Sequence, residues 1–143
     1  MQQAKKLKKV AIVDEDPSWC IGQGGRLKEE TVKQQITCFS KASGLLNHLA
    51  ILKQDKKYDD LPDYILIDMH LPDMEAAKFL DTYEHLMGEK GTPEVFILSS
   101  TGSKKSRDLA MQYNFVSTYL EKPVPGDFIE VLIAGKSVDN PPH

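Results

Sequence analysis

Five short apolar runs recur along the chain: VAIV at 10–13, QITCF at 35–39, YILI at 64–67, VFIL at 95–98 and STYL at 117–120. Each has the length of one strand, and most are rich in β-branched or aromatic residues. Three lack polar alternation, as expected of strands covered on both faces by helices. The segments between them read as helices. In EAAKFLDTYEHLM the residues Ala76, Phe79, Leu80, Tyr83 and Leu86 or Met87 fall three and four apart, which makes one apolar stripe. A helix over about 44–53 carries Leu45, Leu46, Leu49 and Leu52. Another, capped by Ser103, is predicted to run to about Tyr113, and a last one over about 127–134 carries Phe128, Val131 and Leu132. The stretch CIGQGGRLKEETVKQQ is predicted to hold the first helix, although three glycines within four residues each disfavour it by up to about 1 kcal/mol. A βα unit repeated five times implies an α/β fold, a doubly wound five-stranded parallel sheet flanked by five helices.

Composition narrows the function. The 143 residues suit one domain with one core, and 41% hydrophobic with 27% charged residues excludes disorder. A net charge of −3 argues against a dedicated nucleic-acid binder. No apolar run approaches the roughly 20 residues that span a bilayer. The start, MQQAKKLKKV, is basic, but only VAIV follows before acids begin, too short for a secretory signal, so a cytoplasmic protein is expected. Cys20 and Cys38 have neither disulfide nor metal spacing and read as packing residues. The G-x-G-G string lacks the Lys-Ser/Thr of a phosphate loop. A basic extension at 1–7 and a disordered tail at 136–143 are expected to flank the domain at 8–135.

In an open parallel sheet, ligands bind beyond the carboxyl ends of the strands. The residues there are Asp14, Glu15 and Asp16 after the first run, Asp68 after the third, Ser99, Ser100 and Thr101 after the fourth, and Glu121, Lys122 and Pro123 after the fifth. Carboxylates converging from two strands without matching arginines repel unless a hard divalent cation lies among them. Mg²⁺ suits that chemistry, since it takes oxygen ligands and is completed by a phosphate. Asp68 can then be a ligand or a nucleophile, because a carboxylate is a competent phosphoryl acceptor. A lysine and a hydroxyl supply charge and a hydrogen bond to phosphoryl oxygens.

These motifs, VDEDP, IDMHLPDM, LSST and YLEKP, stand in the order found in two-component response-regulator receiver domains, and the sequence resembles that CheY-like family over about 8–135. The resemblance implies the flavodoxin-like receiver fold with strand order 2-1-3-4-5. It implies that Asp14 and Glu15 hold Mg²⁺ together with Asp68 and the backbone carbonyl of His70, and that Asp68 is the residue phosphorylated. Ser99 matches the Ser/Thr switch residue, Tyr119 the switch aromatic, and Lys122 the lysine that pairs with the phosphoryl group. By the same resemblance the Lys122–Pro123 bond is expected to be cis. One departure stands out: the family's M-P-x-M-D-G is here Leu71, Pro72, Asp73, Met74, Glu75, Ala76, and the missing glycine is expected to bear on the loop before the following helix.

Plainer roles compete at several positions. Asp16 before Pro17 reads as a helix cap rather than a third ligand. The His70 side chain is a modulator or an exposed loop residue, and Tyr119 a switch or plain core. Lys104, Lys105 and Arg107, unfavourable at a helix start, mark a partner surface or a solvated face.

The leading expectation is a stand-alone receiver. It takes a phosphoryl group from a sensor histidine kinase or a histidine phosphotransfer protein, and signals to a downstream protein or an onward relay. It is no enzyme beyond its own phosphorylation and dephosphorylation. No DNA-binding output domain is expected, no membrane association, and a homodimer on activation is open. The alternatives are a pseudo-receiver acting as a constitutive interaction module, and an aspartate-nucleophile phosphatase. The phosphatase would need a second Asp where His70 stands.

Overall fold

The structure is a computed structural model, and it describes residues 7–16, 34–88, 93–99, 104–122 and 124–135. Five strands, β1 (Val10–Val13), β2 (Ile36–Phe39), β3 (Tyr64–Asp68), β4 (Glu94–Ser99) and β5 (Val116–Glu121), form one parallel sheet in the order β2-β1-β3-β4-β5. Four helices accompany them among the described residues: α1 (Ala42–Gln54), α2 (Ala76–Met87), α3 (Lys104–Met111) and α4 (Gly126–Ala134). The helix expected within 20–35 lies outside the described residues, apart from the turn at Gln34 and Gln35 that leads into β2. The extension at 1–7, save Leu7, and the tail at 136–143 also lie outside.

Alternation along the strands sorts side chains into two cores. Ala11, Val13, Ile65, Ile67, Val95 and Ile97 face one side, where α1 and α2 bring Leu45, Leu49, Phe79, Leu80 and Tyr83. Val10, Ile12, Leu66, Phe96, Leu98 and Leu120 face the other, covered by Phe128, Ile129, Leu132 and Ile133 of α4. Both faces are therefore apolar on the central strands, which is why those runs show no polar alternation. The α2 stripe buries as its spacing predicts, with Leu86 and Met87 only partly covered. On α4 the expectation for Val131 fails: it is half-buried, while Ile129 and Ile133 are buried. With Phe128 and Leu132 they extend the apolar surface over two adjacent rows of the helix.

The helix ends follow local chemistry. Gly88 ends α2 at φ 71° and Gly135 ends α4 in the left-handed conformation at φ 73°, where a glycine carries no Cβ penalty. Ser103 lies outside the described residues, so the predicted cap of α3 does too.

One irregularity interrupts the ladder at the edge of the sheet. Between β4 and β5 the register runs Val95 to Val116 but Phe96 to Thr118, so Ser117 is bulged out. Val116 and Tyr119, three apart, consequently face the same core, opposite Val95 and Ile97. No helix among the described residues is long and apolar enough to cross a membrane.

Candidate functional site at the carboxyl edge of the sheet

The parallel direction of all five strands delivers their last residues to one edge. Asp14 follows β1, Asp68 ends β3, Ser99 ends β4 and Lys122 follows β5. The backbone stitches these ends together. Asp14 N–H donates to the Phe39 carbonyl at 3.0 Å, Met69 N–H to Leu98 at 2.8 Å, and Lys122 N–H to Ser99 at 2.9 Å.

The side chains of Asp14, Asp68 and Lys122 meet. The Lys122 ammonium donates to Asp68 Oδ2 at 2.9 Å and to Asp14 Oδ2 at 3.1 Å. Both carboxylates are buried, at 3% and 8% exposure, so their charge is screened less by water than a surface pair's. Their remaining oxygens are used as well: Asp14 Oδ1 accepts from the Asp16 N–H at 3.0 Å, and Asp68 Oδ1 from the His70 N–H at 3.1 Å. Burial works against the Lys122 charge, but the hydrogen bonds to Asp68 and Asp14 outweigh it and raise its pKa above the ordinary lysine value. The two carboxylates share this one ammonium.

Ser99 is buried at 3% exposure beside this cluster. Tyr119, paired in register with Ile97, is half-buried against the α1 and α2 core. Glu15 and His70 are exposed. Asp16 is exposed, and its N–H turns back onto Asp14; the helix it was expected to cap lies outside the described residues, as do Pro17, Cys20, Ser100, Thr101 and Pro123, the last with its peptide bond. Lys104, Lys105 and Arg107 are exposed on α3. Cys38, on β2, is half-buried and free, and burial pushes its thiol pKa up.

The missing glycine is explained by backbone geometry. Glu75 precedes α2 in an extended conformation at φ −72° and ψ 151°, and Ala76 opens the helix with its methyl buried at 1% exposure. Among the described residues Lys56 is the only non-glycine with positive φ, so this loop takes no conformation that needs glycine.

Two features escaped the sequence reading. Asp73 reaches across to the first amides of α1, accepting from Ala42 and Ser43 at 3.0 Å each. A groove of about 550 Å³ runs between α2 and α3, with His70, Glu75, Lys104, Lys105 and Asp108 on its walls. Neither has a local motif, since each depends on residues brought together by the sheet.

A divalent cation is a test for these residues. Among the described residues no group of three or more His, Cys, Asp or Glu side chains is arranged to hold a metal ion. Mg²⁺, however, is ordinarily held by one or two carboxylates with waters and a phosphate, not by a protein cage. The Asp14 and Asp68 carboxylates, buried side by side and offering oxygen donors, fit that requirement.

No protein-family model matches the chain, and no curated protein does. Solved structures do. A two-component response regulator from Cytophaga hutchinsonii aligns with TM-score 0.66 at 19% identity, covering 89% of this chain and 94% of its own. A CheY-like response regulator receiver domain protein from Methanospirillum hungatei aligns with TM-score 0.58 at 21% identity, over 87% and 90%. A receiver domain protein from Clostridium thermocellum gives TM-score 0.58 at 18% identity, over 90% and 93%. With the same strand order and nearly full coverage in both directions, the chain has the fold of the response-regulator receiver domains.

Proposed function

We propose that the protein is a response-regulator receiver that accepts a phosphoryl group on Asp68 in a Mg²⁺-dependent reaction, in the cytoplasm. The observation that carries this reading is the convergence of Asp14, Asp68 and Lys122 within hydrogen-bond distance at the carboxyl edge of the sheet. The donor is a histidine kinase or histidine phosphotransfer protein. Asp68 Oδ attacks phosphorus, a P–O bond forms, the donor's P–N bond breaks, and the electron pair and a proton return to the imidazole. Asp14, Asp68, Glu15 and the His70 carbonyl are the groups to hold Mg²⁺, which supplies positive charge for the phosphoryl oxygens.

The chain's own residues do the rest. Lys122, tethered to Asp68, stays with the phosphoryl group as an ion-pair and hydrogen-bond donor. Ser99, at the end of the strand beside β3, offers a hydroxyl to a phosphoryl oxygen. Tyr119, half-buried on the neighbouring strand, has room to respond, so the signal passes to the β5 and α4 surface and on to a protein partner or relay. The protein then catalyses nothing beyond its own phosphorylation and dephosphorylation.

The test is incubation with acetyl phosphate and Mg²⁺ followed by intact mass measurement, with Asp68→Asn alongside. A gain of one phosphoryl group that needs Mg²⁺ and vanishes in the variant is expected. No gain while a control receiver is labelled would overturn the reading in favour of a constitutive interaction module. That second reading draws on one observation: Glu15 is exposed and completes no three-carboxylate cluster with Asp14 and Asp68.

A further inference from the structure

Asp73 stands at the tip of the loop that leaves the phosphoacceptor strand. The base of this loop is closed by the antiparallel bridge between His70 and Glu75, and tied to the site by the His70 N–H on Asp68 Oδ1. Its tip is held elsewhere. Asp73 Oδ1 accepts from Ala42 N–H and Oδ2 from Ser43 N–H, both at 3.0 Å, and the Ser43 side chain joins them. These amides open α1, whose own N-cap, Lys41, makes no side-chain cap bond. The cap usually supplied by the residue before a helix therefore comes from about thirty positions away.

The position of α1 gives this bond its consequence. The helix starts three residues after Phe39, whose carbonyl receives the Asp14 N–H at 3.0 Å. A circuit of backbone and hydrogen bonds thus runs from Asp14 through Phe39 to Ala42 and Ser43, across Asp73, and through the loop to His70 and Asp68. Two other ties join the carboxylates: the β1–β3 ladder, which pairs Val13 with Ile67 one residue before each, and the Lys122 ammonium, a single side chain on a flexible stem. Burial pushes the Asp73 carboxyl up, but the hydrogen bonds from the Ser43 and Ala42 amides and the Ser43 hydroxyl together outweigh it and hold its pKa below the ordinary value, so it is an anion at neutral pH.

We propose that Asp73 is a positioning residue of the phosphoacceptor site. By pinning the loop after Asp68 to the start of α1 it holds the main chain at His70, whose N–H binds Asp68 Oδ1, in place against the site, beyond what the β1–β3 ladder fixes. This rests on the Mg²⁺-dependent phosphoacceptor reading of the site.

The test compares wild type, Asp73→Ala, Asp73→Asn and Leu52→Ala by Mg²⁺ titration calorimetry, amide exchange and thermal unfolding. Leu52 is buried in the last turn of α1, so its truncation loosens the same helix far from the site. Asp73→Ala is expected to weaken Mg²⁺ binding about tenfold, the low end for an outer partner of a metal ligand, and to speed exchange at Ala42 and Ser43. Asp73→Asn, which keeps one acceptor, should fall between. Leu52→Ala should lower the melting temperature and leave Mg²⁺ affinity unchanged. If the Asp73 variants bind Mg²⁺ as wild type does, Asp73 is a helix cap only and the proposal is wrong. Wild type that fails to bind Mg²⁺ overturns the functional reading itself, a distinct result. Should Asp73→Ala not fold, Asp73→Asn carries the same comparison.

Discussion

The Lys122 ammonium lies 2.9 Å from Asp68 Oδ2, joining residues 54 positions apart across the edge of the sheet. It also neutralises half of a buried pair of like charges, since Asp14 shares the same ammonium. The relationship ties the fold's stability to the site's chemistry.

Lys122→Ala is expected to destabilise the protein by about 1–3 kcal/mol, because it leaves two buried carboxylates facing each other. The side chains are 22%, 4% and 11% exposed for Lys122, Asp14 and Asp68, so solvent screens this only in part. Mg²⁺ should recover much of the loss, as the cation replaces the missing charge. Urea unfolding of the variant with and without Mg²⁺ checks both; a variant as stable as wild type in chelator would contradict the expectation.

The same lysine sets an alkaline limit. Its pKa is raised above 10.5 in the folded state, so its stabilisation is fully present below the unfolded pKa and is lost as pH rises through the folded value. Tyr113, pushed up to about 12 by burial and by its hydrogen bond to Asp81, acts in the same direction at high pH. The difference in stability between wild type and Lys122→Ala isolates the lysine: it should stay constant to about pH 10 and shrink above it. Denaturant midpoints of both proteins between pH 7 and about 11.5 measure it.

Tyr83 is fully buried, and its hydroxyl donates to the Pro93 carbonyl at 2.9 Å. Tyr83→Phe leaves that carbonyl without its partner and should cost about 1–2 kcal/mol. The rings of Phe79 and Phe115 still pack against the replaced ring, so the m-value should not change. Phosphorylation by acetyl phosphate should proceed at the wild-type rate, which separates this core bond from the site.

Ala76→Gly restores the residue that the family pattern carries. Because Ala76 opens α2 with a buried methyl group, the change should cost about 0.5–1.5 kcal/mol and improve nothing at the site. Thermal unfolding alongside the rate of acyl phosphate formation checks this. A faster rate in the glycine variant would show that the loop benefits from a backbone freedom it does not use here.

Much of this was legible in the sequence, and the reasons are physical. The strands and the α2 stripe were readable because burial on both faces or one face imposes its period on the residues themselves. Asp14, Asp68 and Lys122 were readable because a parallel sheet sends every strand end to one edge. Asp73 was not, because its partners on α1 are close only after β2 and β3 have taken places on either side of β1. Val131 misled because one stripe of apolar spacing on α4 looked sufficient, whereas Ile129 and Ile133 form the row beside it. The glycine departure looked consequential by pattern and is silent in the backbone angles.

The bulge at Ser117 makes β5 a strand with a phase as well as a length. Upstream of it, odd and even positions point one way; downstream they have exchanged sides. A chain shortened by that one residue would keep its charge and every motif, and Val116, Thr118, Tyr119 and Leu120 would pair with Val95, Phe96, Ile97 and Leu98 in unbroken alternation, each still facing its present core. Deletion at Ser117 is thus a trimming rather than an inversion, and variation among descendants of this sequence should replace or lose Ser117 without exchanging the two cores.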